Sequence, residues 1–379
     1  MCVPLALDKY NHKSSNSVSD ISMASSDSED ARFLSKNLER LCHESFDGKS
    51  ILVTGGTGSF GKAFIRKVIN EFSVKRVVVF SRDELKQSLM QNDFPVSKYP
   101  CMRYFLGDVR DVERLRRAFK GIDIIIHAAA LKQVPALEYN PTEAIKTNVI
   151  GAMNIITAAT ERGVSRVVAL STDKAAMPIN LYGATKLCSD KLFVAANTGV
   201  GDAATRFSVV RYGNVFGSRG SIVPVFHKKK ASQEPILITD PRMTRFNITL
   251  TQAVNFVVSG VHLMHGGEIF VPKLPSYKLP LVAEAVAPEC STEVIGRRPG
   301  EKIHELMIPS DEAYRTKEIE DRYIIEPDWA RSASEYESIA GATSVPDDMS
   351  CSSGNNTEWC TVQTLRSQYE RWCEETGNY

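Results

Sequence analysis

No Cys-x-x-Cys pair occurs among the eight cysteines, Cys2, Cys42, Cys101, Cys188, Cys290, Cys351, Cys360 and Cys373. Their scatter argues against a zinc site or disulfide framework and fits reduced thiols in a cytoplasmic protein; no metal is expected. No apolar run approaches the roughly 20 residues that span a bilayer. The N-terminal stretch lacks the basic-then-apolar pattern of a secretory signal, and its acids (Asp8, Asp20, Asp27, Glu29, Asp30) argue against an organelle transit peptide. Charge of one sign is also missing: the formal net charge is +1, so nothing general favours nucleic acid or a membrane surface as partner. There is no internal repeat. What is present is an ordinary globular composition, 43% hydrophobic and 24% charged over 379 residues, enough for a large core shared by two lobes.

Residues 1–45 are polar and serine-rich, and cannot bury enough apolar surface to fix their backbone. We expect a disordered polar tail there, with a short helix over 32–46 leading into the fold. Strand-like apolar runs then alternate with helical periodicity. The runs fall at 50–54, 76–80, 102–106, 122–127, 166–170 and 207–211. Helical segments fall at 62–72, 114–119, 141–161 and 182–196. Repeated strand–helix units with continuous apolar strands predict an α/β fold, a doubly wound parallel Rossmann sheet. The expected domains are a dinucleotide-binding domain over 46–215 and a smaller C-terminal substrate-binding lobe over 216–345, with segments free to return to the first domain. A C-terminal turn and helix over 346–379 follow.

The first strand runs into TGGTGSFG (54–61), which opens a helix. Glycines at 55, 58 and 61 permit a tight turn and bring a pyrophosphate to free helix N–H groups. Gly55, Thr57, Gly58, Ser59, Phe60 and Gly61 are therefore candidate cofactor contacts. At the end of the second strand stand Ser81, Arg82, Asp83, Glu84, Leu85 and Lys86. Ser81 and Arg82 occupy the place of a ribose 2′-phosphate, and a guanidinium grips phosphate in bidentate fashion. The alternative is that Asp83 binds a ribose hydroxyl; the charge chemistry favours NADP over NAD. Asp108 and Val109 border the adenine side, Ala128 and Ala129 allow close backbone approach, and Asn148 belongs near the active site.

The fifth strand ends at Ser171-Thr172, followed by an acid, Asp173, and a base, Lys174. Tyr182 and Lys186 are four residues apart, one helical turn on one face. An ammonium beside a phenol favours the phenolate, so Tyr182 can take a proton from an alcohol. Tyr-x-x-x-Lys alone is weak; its setting after the glycine loop and five strands gives it weight.

Together TGGTGSFG, SRDELKQ, GDVRD, HAAALKQVP, STDKAA, PINLYGATK, RYGNVFGSRGS and RPGEKIHE resemble the extended short-chain dehydrogenase/reductases. Within them the chain is most similar to the configuration-inverting UDP-N-acetylglucosamine 4,6-dehydratases, which open pseudaminic acid synthesis. The likeness runs from about residue 50 to the C-terminal helix and includes SGNNTEW (353–359). It implies a homo-oligomeric hydro-lyase that binds and recycles NADP. Tyr182, assisted by Lys186, would take the 4-hydroxyl proton of the sugar, Lys174 the C5 proton, and Asp173 would act as acid toward the 6-hydroxyl, with Thr172 beside them. A lysine base has to be partly neutral, and desolvation in a closed site is expected to depress its pKa.

The resemblance further assigns Lys132 to both cofactor and sugar. It assigns Asn214, Val215, Phe216, Gly217, Ser218, Arg219 and Ser221 to the UDP-sugar, Arg245 and Arg298 to the diphosphate, and Glu301 to the ribose or to bracing an arginine. The basic run 227–230 reads better as a solvated helix face. Met177 departs from the family, which usually carries asparagine there; if that asparagine shapes the sugar pocket, recognition is altered. The readings left open are a C5-retaining dehydratase, a UDP-sugar 4-epimerase, which would not need Asp173-Lys174, and a non-catalytic NADP-binding regulator, which would need neither proton-transfer pair.

Overall fold

The computed structural model describes residues 32–199, 204–331 and 336–377. The tail expected over 1–31 lies outside the described residues. The short helix expected over 32–46 is present, and it packs into the fold instead of forming part of a tail. Helix α1 (Lys36–Phe46) is capped by Ser35 Oγ, which accepts from the Leu38 N–H. Phe33, Leu34, Leu38, Cys42 and Phe46 are buried in the main core, and Phe33 meets Phe256 edge-on at 5.1 Å. Each such ring buried is worth about 1.5–3 kcal/mol, which is why this polar-looking segment is ordered.

The strand–helix alternation then unfolds as β1 (Ser50–Thr54), α2 (Ser59–Glu71), β2 (Arg76–Ser81), α3 (Glu84–Asp93), β3 (Met102–Leu106), α4 (Val112–Ala118) and β4 (Ile124–His127). Short helices α5 (Val134–Tyr139) and α6 (Pro141–Ala144) precede a π-helical turn, Ile145–Ile150, and α7 (Gly151–Arg162). The long helix expected over 141–161 is thus one helical stretch carrying a wide turn. Next come β5 (Arg166–Thr172), a 3₁₀ turn (Asp173–Ala175), α8 (Leu181–Ala196) and β6 (Arg206–Tyr212). The order β3-β2-β1-β4-β5-β6 is parallel throughout. Chain direction across the sheet reverses between β1 and β4, opening a crevice at their C-terminal ends.

The remaining elements are β7 (Asn214–Val215), α9 (Ile222–Ser232), β8 (Ile236–Ile238), β9 (Thr244–Ile248), α10 (Leu250–Leu263), β10 (Ile269–Pro272), β11 (Ser276–Lys278) and α11 (Leu279–Val286). After them stand β12 (Thr292–Val294), β13 (Leu306–Ile308), β14 (Thr316–Glu318), β15 (Arg322–Ile325), β16 (Thr343–Ser344), β17 (Cys351–Ser352) and α12 (Val362–Thr376). Strand β10 adds to β6 in parallel, and β15, β14 and β16 extend that edge antiparallel, giving a sheet of ten strands. Residues 216–345 are therefore interleaved with the first domain. What stays apart is a second core, in which α9, α11 and α12 pack Val223, Phe226, Val282, Val286, Leu365 and Tyr369 together. Strand β17 pairs with β13, whose Met307 and Ile308 belong to the main core, so the C-terminal turn is stitched to that core.

Candidate active site

The turn after β1 is built for close approach. Gly55 has φ +66°, and a Cβ there would stand 2.9 Å from the Ala129 backbone nitrogen. A Cβ on Gly61 would stand 2.5 Å from Gly56 Cα. Only hydrogen fits at either position. Gly58 caps α2 with no side chain, which leaves the N–H groups of the first turn open to an anion. Thr54 Oγ1 ties β1 to β4 through the His127 ring (2.8 Å) and accepts from the Ala129 N–H (3.2 Å).

At the end of β2, Asp83 is engaged locally. Its Oδ1 caps α3 by accepting from the Lys86 N–H (2.9 Å), and its Oδ2 pairs with Lys86 Nζ (2.7 Å). These bonds hold its carboxyl below the usual range. Arg82 is half-exposed and only loosely paired, its Nη1 3.7 Å from Asp108. Burial raises the Asp108 carboxyl, but hydrogen bonds from Arg110 outweigh it and hold the group low. Ser81 is bonded by the Gln87 amide.

The turn after β5 carries the acid and the base singled out in the sequence, Asp173 and Lys174. Asp173 is wholly buried; its Oδ1 accepts from Thr172 Oγ1 (2.9 Å) and Lys174 Nζ (3.0 Å), while its Oδ2 has no donor. The Lys174 side chain is 23% exposed. Its Nζ also lies 3.3 Å from Oε1 of the buried Glu305. Burial by itself lowers the Lys174 pKa, but Asp173 and Glu305 together reverse this and raise it. The expected depression is thus overturned: the lysine rests as an ammonium between two carboxylates.

Asn180 caps α8, its Oδ1 accepting from the Gly183 N–H at 2.8 Å. Burial pushes the Tyr182 phenol up to about 12, against the pull of the Lys174 charge and a hydrogen bond with Thr172. Burial lowers Lys186, opposed by Asp190, whose carboxylate accepts from Ser171 Oγ (2.7 Å). Lys132 is lowered by burial and by Lys174.

A single cleft of about 740 Å³ joins these parts. Its walls include Gly55, Thr57, Gly58, Ser59, Phe60 and Gly61 from the first turn. Ser81, Arg82, Asp83, Lys86, Asp108, Val109, Ala128, Ala129 and Lys132 line its far end and middle. Thr172, Lys174, Tyr182 and Lys186 meet Asn214, Val215, Ser218, Arg219 and Ser221 at the other end. Asn214 Oδ1, Ser221 Oγ and Thr147 Oγ1 are buried at this cleft without a hydrogen-bond partner, as groups awaiting a polar ligand are.

Other expected contacts lie elsewhere. Glu84 and Leu85 sit in the first turn of α3, Leu85 69% exposed. Asn148 braces the fold: it bonds both backbone groups of Leu131 and the Thr185 hydroxyl. Phe216 packs into the second core, and the Gly217 carbonyl accepts from Trp372 Nε1. Arg245 spends its guanidinium on the Thr244 and Ile303 carbonyls, 3.7 Å from Glu305. Arg298 is exposed, in a turn where the Glu301 carboxylate accepts from its N–H. Met177 is 61% exposed with φ +45° and does not line the cleft, so asparagine suits this position for its backbone tolerance. Sequence reasoning missed Gln133, Thr147, Gly220 and Leu250 on the walls, and Glu305 behind Lys174. The glutamate stands in RPGEKIHE, but nothing local marks it as a partner of a lysine 131 positions earlier.

Among the described residues, no group of three or more His, Cys, Asp or Glu side chains is arranged to hold a metal ion, and no helix is long and apolar enough to cross a membrane. Residues 51–327 match the family described as Polysaccharide biosynthesis protein. A Campylobacter jejuni protein named UDP-N-acetylglucosamine 4,6-dehydratase (inverting) is 52% identical over 326 residues, 84% of this chain and 97% of its own length. A Rickettsia massiliae protein named UDP-glucose 4-epimerase is 40% identical over 75% of this chain and 84% of its own. The crystal structure of Pen from Bacillus thuringiensis superposes with a TM-score of 0.78 at 36% identity, covering 86% of this chain and 98% of that one.

Proposed function

The chain belongs to the polysaccharide biosynthesis protein family, and on that premise we propose that it is an NADP-dependent UDP-N-acetylglucosamine 4,6-dehydratase that inverts C5. The observation that carries the proposal is Lys174, on the cleft wall with Tyr182 and Lys186 and bonded to the fully buried Asp173 behind it. A 4-epimerase needs a hydroxyl base but no second acid–base pair, and a cofactor sensor needs neither.

The cleft suits a dinucleotide: the glycine turn, the open α2 N-terminus and the cationic end of β2 follow one another along its wall. Asp83 is already taken by Lys86, while Arg82 is free to turn to a 2′-phosphate and Arg219 lines the same space; this favours NADP. When bound, the nicotinamide supplies a hydride acceptor for sugar C4 and a hydride donor for C6. Tyr182 takes the 4-hydroxyl proton, the Lys174 charge and the Thr172 hydrogen bond favouring its phenolate against the burial that raises it. The 4-ketone so formed acidifies C5–H. Lys174 passes its proton along the 3.0 Å contact to Asp173, the freed amine takes the C5 proton, and Asp173 protonates the departing 6-hydroxyl as water. The pair ends the elimination as it began, one ammonium and one carboxylate; with hydride added at C6, a proton returns to C5 on the face opposite the one it left, and Tyr182 gives up the proton it took from the 4-hydroxyl. Asn214, Ser218, Arg219 and Ser221 hold the UDP end. The same reading expects a cytoplasmic homo-oligomer whose product feeds deoxyamino-sugar synthesis of the pseudaminic acid kind.

The test is mass spectrometry of purified protein incubated with UDP-N-acetylglucosamine and NADP⁺. Loss of one water from the nucleotide sugar, abolished in Lys174→Ala while NADP still binds, is the expected result. An isomer of unchanged mass would favour the epimerase reading suggested by the Rickettsia relative's name.

A further inference from the structure

The segment 300–305 grips the catalytic turn from outside the cleft. The Gly300 carbonyl accepts from Asn180 Nδ2 (2.9 Å). Lys302 Nζ donates to the Ala176 carbonyl (2.7 Å). Glu305 ends the grip, its Oε1 3.3 Å from Lys174 Nζ. It is 2% exposed, and its Oε2 is buried with no donor. Its backbone N–H is fixed by Ser353 Oγ (2.9 Å), so the residue has little room to turn away.

The ionisable groups facing Lys174 come from every side: Asp173 on its own turn, Tyr182 on α8, Lys132 after β4, Arg245 on β9 and Glu305. Tyr277 on β11 and Lys302 also feel its charge. The cations outnumber the anions. Without Glu305, Asp173 alone would have to keep a proton on a desolvated amine hemmed in by other positive groups. The elimination described above works only while Lys174 and Asp173 carry one proton between them, because that proton expels the 6-hydroxyl.

We propose that Glu305 is a positioning residue that keeps the Lys174–Asp173 pair singly protonated at working pH and holds the amine against Asp173. The inference rests on the dehydratase reading for its consequence but not for its charge effect. Protons move only between Lys174, Asp173 and the sugar, and Glu305 takes no part in the transfer.

The test compares wild type with Glu305→Gln and Glu305→Asp. In the absence of substrate and cofactor, acylation of Lys174 by acetic anhydride is followed by peptide mass spectrometry across pH. Glu305→Gln is expected to make Lys174 react at least about tenfold faster at neutral pH, a shift of one unit or more in its titration. With UDP-N-acetylglucosamine and NADP⁺, the alkaline limb of kcat should move toward neutral pH in Glu305→Gln and recover toward low pH, with KM little changed. Glu305→Asp, which keeps the charge, should retain most of the wild-type profile. A merely structural role would lower kcat equally at all pH values and leave Lys174 reactivity unmoved; either result overturns the proposal. If wild type itself does not dehydrate the sugar, the function is wrong, and the acylation profile still decides what Glu305 does.

Discussion

Substituting Gly183 by alanine tests the packing on which the site depends. Gly183 follows Tyr182 in the first turn of α8. A Cβ there would lie 2.1 Å from the Lys174 carbonyl oxygen and 3.0 Å from Pro178 Cβ. Neither neighbour is the end of a flexible side chain. To restore ordinary contact the turn carrying Asp173 and Lys174 must retreat from α8 by about 1 Å. Overpacking of this kind costs about 1–3 kcal/mol of stability. A misplacement of about 1 Å in a catalytic constellation costs on the order of 100-fold in rate. None of the atoms that the Cβ would meet belongs to the glycine turn after β1. Gly183→Ala is therefore expected to fold with a lowered Tm, to bind NADP nearly as wild type in a fluorescence titration, and to lose turnover by about 100-fold. Turnover within about twofold of wild type, with Tm unchanged, would refute the claim that α8 and the catalytic turn are packed without room for a methyl group.

Arg82→Ala should weaken NADP by about tenfold or more while leaving NAD affinity nearly unchanged, since one charge-assisted phosphate contact is worth about 1.5–3 kcal/mol; equal loss for both cofactors would count against the 2′-phosphate assignment. Met177→Asn should raise stability by about 1 kcal/mol in urea unfolding with KM for the sugar unchanged, because it relieves a left-handed backbone (φ +45°); a changed KM without a stability gain would return this position to the sugar pocket. Burial pushes the His127 imidazole down to about 3, with Lys186 adding to the effect. The unfolded chain takes up a proton near pH 6.5 that the folded site refuses, so this contribution is complete above that pH and is lost as pH falls toward 3, at up to about 1.4 kcal/mol per unit. Urea unfolding at pH 7 and pH 5 should therefore show a smaller loss of stability in His127→Asn than in wild type; an equal loss would mean that His127 is not held neutral.

What could be read from the chain was local. The apolar runs 50–54, 76–80 and 166–170 needed no distant partner to be recognised as buried strands, and the glycine turn declares itself through spacing alone. Tyr182 and Lys186 share a helix face by arithmetic. What escaped depends on contacts between remote segments. Short strands such as Thr316–Glu318 and Thr343–Ser344 have no period to detect, yet they complete the main sheet. Arg245 looked like a phosphate ligand because an arginine's partners are invisible in sequence; in the fold two backbone carbonyls accept from it. The short helix over 32–46 was legible, but the burial of Phe33, Leu38 and Phe46 in the main core was hidden by polar neighbours. The charge state of Lys174 was misjudged because its second carboxylate, Glu305, arrives from far down the chain, and burial alone gives the opposite sign.

The most direct test of the central claim is NMR of the product formed from UDP-N-acetylglucosamine by the purified protein with NADP⁺ in D₂O. The expected product is a 4-keto-6-deoxy sugar carrying deuterium at C5, with ring couplings of the L-arabino configuration. The same product with D-xylo couplings would contradict inversion and keep the dehydration. A sugar that keeps its 6-hydroxyl and its C5 proton, from protein that binds NADP, would contradict the role given to Asp173 and Lys174.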